Sequence, residues 1–276
     1  MKVLVTGASG FLGHHISQAL SSRGDLVIAA SRASGFDFAR LLTESDWLPH
    51  LDRVDAVVNC VGIIAQTRRQ RFETLHHLAP AALFRACATA GVARIVQISA
   101  LGVDQANSCP YQASKKRADE AIAGFPGKWY ILRPSLVYGP GGASHRMFQR
   151  LCRLPVLPLV SAGRQQIQPV HVNDVSACVL KCLSSEQSGL TLNVVGPKPY
   201  SFAEWLQLLR RKQGRKPAVI LPLPLGGILA FAQLARYVVP MLHPDNLYML
   251  EQGNTADVSS VTEFLGRPTL AAEDML

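Results

Sequence analysis

The sequence predicts an α/β fold, a doubly wound parallel sheet with a smaller C-terminal lobe. Three observations predict it. The first half alternates short β-branched apolar runs with longer amphipathic stretches, the pattern of successive βαβ units. Hydrophobic residues make up 48% of the 276 positions and charged residues 17%, a balance suited to strands covered on both faces. From about Pro134 the pattern changes to shorter pieces rich in Pro and Gly, which marks the second lobe.

Lys2-Val-Leu-Val-Thr6 reads as a buried first strand, and no targeting segment is expected ahead of it. Further strands are expected at Leu26–Ser31, Ala56–Val61, Ile95–Ser99 and Trp129–Arg133, with an abbreviated one around Phe36–Phe38. Helices are expected over 12–23, 73–90 and 111–124. In the second lobe a strand is expected near Gln168–His171 and helices over 173–184 and 201–213. Ser201 with Glu204 and Ser260 with Glu263 have the spacing of capping boxes. The segment 218–242 is the most apolar in the chain, but Pro222, Pro224, Gly226, Gly227, Gln233 and Arg236 break it. It is too interrupted to span a membrane. It reads as the core helix of the small lobe, or as an apolar substrate wall or a peripheral contact with a membrane or protein complex.

The formal charge of +9 suits nucleic acid, an anionic surface or a phosphorylated ligand. The clusters Arg68-Arg69-Arg71 and Arg210-Arg211-Lys212 lack interleaved aromatics, so a nucleic-acid surface is not expected. Arg146, Arg150 and Arg153 share a helical face, solvated or open to an anionic substrate. The six cysteines form neither a CxxC pair nor a secretory framework, which points to reduced thiols in a cytoplasm. Cys178 and Cys182 lie one helical turn apart without further ligands at zinc-site spacing; helix packing is expected, and no metal.

Directly after the first strand stands Thr6-Gly7-Ala8-Ser9-Gly10-Phe11-Leu12-Gly13. Gly7, Gly10 and Gly13 let backbone turn tightly and approach a pyrophosphate, while the helix opening at Phe11 and Leu12 supplies N–H donors and positive potential. A glycine triplet between a strand and a helix at the head of a βαβ series marks a Rossmann-type dinucleotide site. Residues 1–165 are therefore assigned to an NAD(P)-binding domain. Residues 166–276 are read as a mixed region, giving a strand and helix back to that core and forming the small lobe. The second strand ends Ala29-Ala30-Ser31-Arg32, without the acid that would bond an NAD ribose. Arg32 can pair with a 2′-phosphate and Ser31 can add a hydrogen bond, so NADPH is favoured over NAD.

Tyr111 alone among the six tyrosines has a lysine four residues on, Lys115, which puts both on one helical face. An ammonium there is expected to lower the phenol pKa, so that Tyr111 exchanges a proton with a substrate oxygen during hydride transfer. Ser99, ending the preceding strand, is expected to hydrogen-bond the same oxygen.

TGASGFLG, the DAVVNCVG strand at 55–62, Ser99, YQASK at 111–115, RPSLVYGP at 133–140 and QPVHVNDV at 168–175 together resemble the extended and atypical short-chain dehydrogenase/reductases. The resemblance implies Asp37 and Phe38 at the adenine and Val61 and Gly62 along the cofactor. It also implies Pro134, Ser135, Leu136 and Val137 near the nicotinamide. The chain is most similar to the branch holding the dehydrogenase-like accessory subunit of respiratory complex I and its bacterial relatives. Twelve positions separate Ser99 from Tyr111, fewer than in sugar-nucleotide epimerases. His76 stands where a helix Asn is common, open to a proton-relay or a packing role. Three functions follow: an NADPH-dependent oxidoreductase using Ser99, Tyr111 and Lys115, a non-catalytic NADPH-holding assembly module, or a nucleotide-sugar epimerase. The expected location is cytoplasmic, at most peripheral to the inner membrane.

Overall fold

A computed structural model describes residues 1–105, 109–224, 249–250 and 253–275. Five strands, β1 (Lys2–Thr6), β2 (Leu26–Ala30), β3 (Ala56–Asn59), β4 (Arg94–Ile98) and β5 (Lys128–Pro134), form where the apolar runs predict them. Helices α1 (Phe11–Ser22), α2 (Glu44–Trp47), α3 (Ala79–Thr89) and α4 (Pro110–Ile122) lie between them. Lys2 pairs with Leu26 and Thr6 with Ala30 in parallel register, and β1–β3, β3–β4 and β4–β5 are parallel too. No strand forms at Phe36–Phe38; Arg32–Ser34 make a 3₁₀ turn closed by Gly35 in the left-handed region. Phe38 is buried edge-on against Trp47, 4.9 Å between centroids.

The rest of the chain supplies β6 (Val137–Tyr138), α5 (Ala143–Leu151), β7 (Val156–Val160), β8 (Gln166–Ile167) and β9 (Val170–His171). After these come α6 (Val172–Ser184), β10 (Leu190–Val194), β11 (Tyr200–Ser201), α7 (Phe202–Lys212) and β12 (Val219–Leu223), then helices Ser259–Leu265 and Ala272–Met275. The first sheet runs β10-β5-β4-β3-β1-β2. Its sixth strand is thus β10, pairing Leu190 with Tyr130, and not the stretch near Gln168–His171. That stretch gives the two-residue β9, which pairs with β6.

The chain divides into two units, Met1–Pro134 with Asn173–Val194, and Ser135–Val172 with Val195–Leu276. This departs from a boundary at 165/166. Residues 135–165 belong to the second unit, while α6 beyond its first residue returns with β10 to the first. In the first unit Leu4, Val57, Ile95 and Ile131 on the strands pack with Leu75, Leu83 and Trp47 into one core. Each fully buried aliphatic side chain there is worth about 1.5–3 kcal/mol. In the second unit Tyr138, Phe148, Leu157, Trp205, Leu206 and Leu209 form another core.

Ser201 caps α7 as expected, with Glu204 N–H donating to its hydroxyl at 3.1 Å and Ser201 N–H donating back to Glu204 at 2.7 Å. Ser260 does not cap; its helix begins one residue earlier, and Asp257 accepts from Ser259 N–H at 3.1 Å. Of the apolar segment, residues 218–224 lie in the description; there β12 is a strand parallel to β7 rather than a core helix. Residues 225–242 lie outside the described residues. None of the six cysteines forms a disulfide, and Cys178 and Cys182 are buried. Among the described residues no group of His, Cys, Asp or Glu could hold a metal ion, and no helix is long and apolar enough to cross a membrane.

Candidate functional site

The glycine loop is held where backbone must pass close to backbone. Gly7 has φ +67, and a Cβ there would lie 3.1 Å from the Cys60 backbone at the end of β3. A Cβ on Gly13 would come within 2.2 Å of the Gly7 carbonyl oxygen, so the loop and α1 dock only without side chains. Gly10 is the N-cap of α1, and no side chain caps the helix. The opening N–H groups at Phe11, Leu12 and Gly13 therefore have no intrahelical acceptor, the local requirement for a phosphate site.

Ala8 N–H donates to the Ala30 carbonyl at 3.2 Å, which ties this loop to the end of β2. Arg32 follows immediately, exposed and without an ion-pair partner among the described residues. Ser31 spends its backbone N–H on Ser34 Oγ at 2.9 Å and caps the 3₁₀ turn. Asp37 accepts from Ala39 N–H at 3.1 Å and faces Arg40 at 3.8 Å. The Phe38 ring, expected at the adenine, is core.

A buried polar ladder that sequence reading missed crosses the strand ends. Thr6 Oγ1 donates to Asn59 Oδ1 at 2.6 Å, and Asn59 Nδ2 donates to Gln97 Oε1 at 2.7 Å. Val61 N–H also donates to Asn59 Oδ1, at 3.3 Å. The ladder pins β1, β3 and β4 together where the glycine loop and Val61 leave the sheet, since unpaired buried polar groups would be costly.

Tyr111 and Lys115 lie on α4, which Pro110 opens and a reciprocal bond between Cys109 and Gln112 caps. The Lys115 ammonium donates to the carbonyls of Val61, at 3.1 Å, and Ile98, at 3.0 Å. It sits against Gly62, where a Cβ would come within 3.3 Å of Nζ. Lys115 is 4% exposed, and burial pulls its pKa down to about 8 against the opposing pull of Asp119 and Cys60. The expectation that Lys115 lowers the Tyr111 pKa is not met. Burial pushes the phenol up to about 12, with Cys109 adding to it, since desolvation disfavours the charged tyrosinate. Ser99 also departs from expectation: its hydroxyl donates to Asp119 Oδ2 at 2.8 Å.

His76 sits in one π-helical turn, Glu73–Leu78, running into α3, with Ala79 N–H reaching back five residues to Thr74. Its Nε2 accepts from Ile63 N–H at 3.0 Å, so Nδ1 carries the proton given to Ser114 Oγ at 2.9 Å. Ser114 Oγ in turn donates to the Tyr111 carbonyl at 2.7 Å. The His76 ring meets the Tyr111 ring edge-on at 5.3 Å and stacks on Phe72 at 5.2 Å. Burial, then the Lys115 charge, depress its pKa to about 2. With both nitrogens engaged, the His76 ring braces Tyr111 and the 61–63 loop, an arrangement that fits a packing role.

Pro134 ends β5 and accepts from Leu101 N–H at 3.0 Å. Ser135, Leu136 and Val137 open the second unit, where Ser135 Oγ donates to the Gln168 carbonyl and Val137 pairs with Val170. Arg146 and Arg150 are exposed on α5. Arg210, read as part of a surface cluster, is instead buried and donates to the carbonyls of Cys152, Leu154 and Lys216.

The chain is similar to several known proteins. A 245-residue match, 29% identical, relates the chain to a ceramide reductase of Caulobacter vibrioides, over 84% of this chain and 76% of that one. The mitochondrial NADH dehydrogenase (ubiquinone) 1 alpha subcomplex subunit 9 of Arabidopsis thaliana is 26% identical over 82% of this chain, which spans 61% of that subunit's length. Its mouse counterpart is 27% identical over 80% of this chain, which spans 63% of that protein. Among solved structures, UDP-glucuronic acid 4-epimerase from Bacillus cereus, in complex with UDP-glucuronic acid and NAD, superposes with a TM-score of 0.75 at 19% identity. It covers 100% of this chain and 96% of its own, a likeness of fold. The pattern of the NAD dependent epimerase/dehydratase family matches residues 3–195, and the chain belongs to that family.

Proposed function

We propose that the protein is an NADPH-dependent oxidoreductase acting on a carbonyl or hydroxyl substrate, with Tyr111 exchanging the proton on the substrate oxygen. The observation that carries this reading is the placement of Tyr111 and Lys115 on one helix, with the ammonium anchored on the carbonyls of Val61 and Ile98. Gly7, against the Cys60 backbone, opens the phosphate loop at that same edge. Bound NADPH would supply the hydride. Gly10, Gly13 and the first turn of α1 would hold its pyrophosphate and Arg32 its 2′-phosphate, with Val61 and Gly62 alongside. A phenol held near 12 is fully protonated at neutral pH, which equips Tyr111 as an acid and favours reduction of a carbonyl.

A lipid-like substrate is supported by the ceramide reductase relative. Val219 and Leu221 of β12 are exposed, 68% and 49%, and offer apolar surface to such a substrate, a membrane or a protein partner. A second reading, a module that holds NADPH without turnover, draws support from the Ser99 hydroxyl being committed to Asp119 and from the respiratory-subunit relatives.

Calorimetry with both nucleotides tests the cofactor assignment. NADPH should bind at least ~10-fold more tightly than NADH, and Arg32→Ala should erase most of the difference, since a charge-assisted phosphate contact is worth roughly ten- to a hundredfold. Equal affinities in the parent chain would overturn it. Screening apolar ketones, quinones and ceramide-related carbonyl compounds for NADPH oxidation then separates enzyme from holder.

A further inference from the structure

Asp119 lies one turn beyond Lys115 on α4, and its carboxylate is 5% exposed. Oδ2 accepts from Ser99 Oγ at 2.8 Å and from Arg133 Nε and Nη2, both at 3.1 Å. Oδ1 is buried and makes no hydrogen bond with any described residue. Arg133 is held from its other end by Asp104, which also lies 3.8 Å from Lys116. Arg–carboxylate pairs are frequently bidentate, with both oxygens on the guanidinium fork. Here one oxygen takes three donors, one of them the hydroxyl that the Ser-Tyr-Lys pattern assigns to substrate.

We infer that Asp119 is a positioning residue of this site, clamped by Arg133, that fixes the Ser99 hydroxyl and supplies the negative field in which the Lys115 ammonium is held. The inference rests on the oxidoreductase reading for its chemical purpose, though not for its test. A hydroxyl that donates to a carboxylate presents its oxygen as a polarised acceptor, so in the resting site Ser99 is set to receive a substrate O–H. To donate to a carbonyl oxygen it must turn from Asp119, which keeps both Arg133 bonds when it does.

The other groups facing this pair do not share the electrostatic task. Cys60, at the end of β3, is pushed up to about 12 by burial, and His76, on the π-helical turn, is depressed to about 2. Tyr111, on α4 itself, is raised to about 12. All three are neutral at pH 7. Arg133 on β5 is positive, and Asp104 pairs with its far end. Asp119 is therefore the leading influence that favours charge on Lys115, ahead of Cys60, and burial acts against both.

The test is an NMR titration of the full chain carrying carbon-13 lysine, with the Lys115 signal assigned by its loss in Lys115→Met. In Asp119→Asn the Lys115 midpoint should fall to lower pH than in the parent, in Asp119→Glu it should return toward the parent value, and in Ser99→Ala it should stay. An unchanged midpoint in folded Asp119→Asn would overturn the inference. Should that variant not fold, Asp119→Asn with Arg133→Gln leaves neither charge alone and carries the same comparison against Arg133→Gln. No nucleotide is needed, so failure to bind NADPH would defeat the proposed function and leave this result standing. On a confirmed substrate, Asp119→Asn should lower kcat by about 10- to 100-fold through misplaced groups. The alkaline limb of the rate profile should move in the same direction as the titration.

Discussion

Among the described residues each of the two units buries one long cation, and the two behave oppositely. Arg210 is 5% exposed, and its guanidinium covers the carbonyls of Cys152, Leu154 and Lys216. Cys152 is the C-cap of α5, so Arg210 neutralises the negative end of a helix and satisfies carbonyls that have lost their intrahelical donors. Among the described residues it has no carboxylate partner. Lys115 is buried as deeply and also donates to carbonyls, but its charge is titratable, faces Asp119 and stands at the strand ends beside the glycine loop. Burial of a cation is thus no sign of chemistry by itself. A removable proton and a position at the open sheet edge make the difference.

The comparison can be broken by exchanging each cation for an apolar side chain of similar length. The largest effect should be on turnover: Tyr111→Phe removes the acid and should lower the rate on a confirmed carbonyl substrate by about 10²- to 10⁴-fold, with Lys115→Met at least as severe. Full turnover in either variant would refute the proton-transfer role. Arg210→Met should do the reverse, leaving turnover per folded molecule near the parent value while costing about 3 kcal/mol in denaturant unfolding, because the carbonyls it serves are left unpaired. An activity loss without a stability loss there would dissolve the distinction.

The smallest effect sharpens it through pH. The Lys115 pKa falls from 10.5 to about 8 on folding, so between those values the unfolded chain binds more protons than the native one. Stability therefore rises with pH across that window and is lost as pH falls through 8, by about 3 kcal/mol in all. Lys115→Met should lack this rise, so the parent-minus-variant difference in unfolding free energy should display it. Buried thiols, Cys60, Cys87, Cys152 and Cys182, whose pKa values burial raises above 9, work against it from about pH 9, and Tyr111 does so above pH 10, so the clean window is pH 8 to 9. Arg210→Met should leave the pH dependence there as it is in the parent.

The strand runs and the four-residue step from Tyr111 to Lys115 were legible because local periodicity governs both. β10 was not: LTLNV is a short edge strand with polar Thr191 and Asn193, and nothing local separates it from a loop. The burial of Phe38 was not legible from its place after β2, because its packing partner Trp47 comes from α2, nine positions further on. The phenol's raised pKa could not be read from spacing, because it comes from how deeply Tyr111 is buried once the chain has folded. Asp119 was within reach, since the step that led from Tyr111 to Lys115 leads once more to Asp119. Its bond to Ser99 joins positions twenty residues apart and exists only once β4 and α4 have packed.

The interleaved chain path has a consequence for how the molecule is made. The ribosome delivers β5 at residues 128–134 but its neighbour β10 only at 190–194, with β6 to β9 and α6 emerging in between. At roughly 5–20 residues per second, the nascent first sheet waits about three to twelve seconds with one flank of β5 lacking its final partner. An unpaired strand flank is a template for the wrong neighbour. During synthesis, then, this flank is where the growing chain most needs protection, and a pause in translation between residues 134 and 190 would lengthen that exposure.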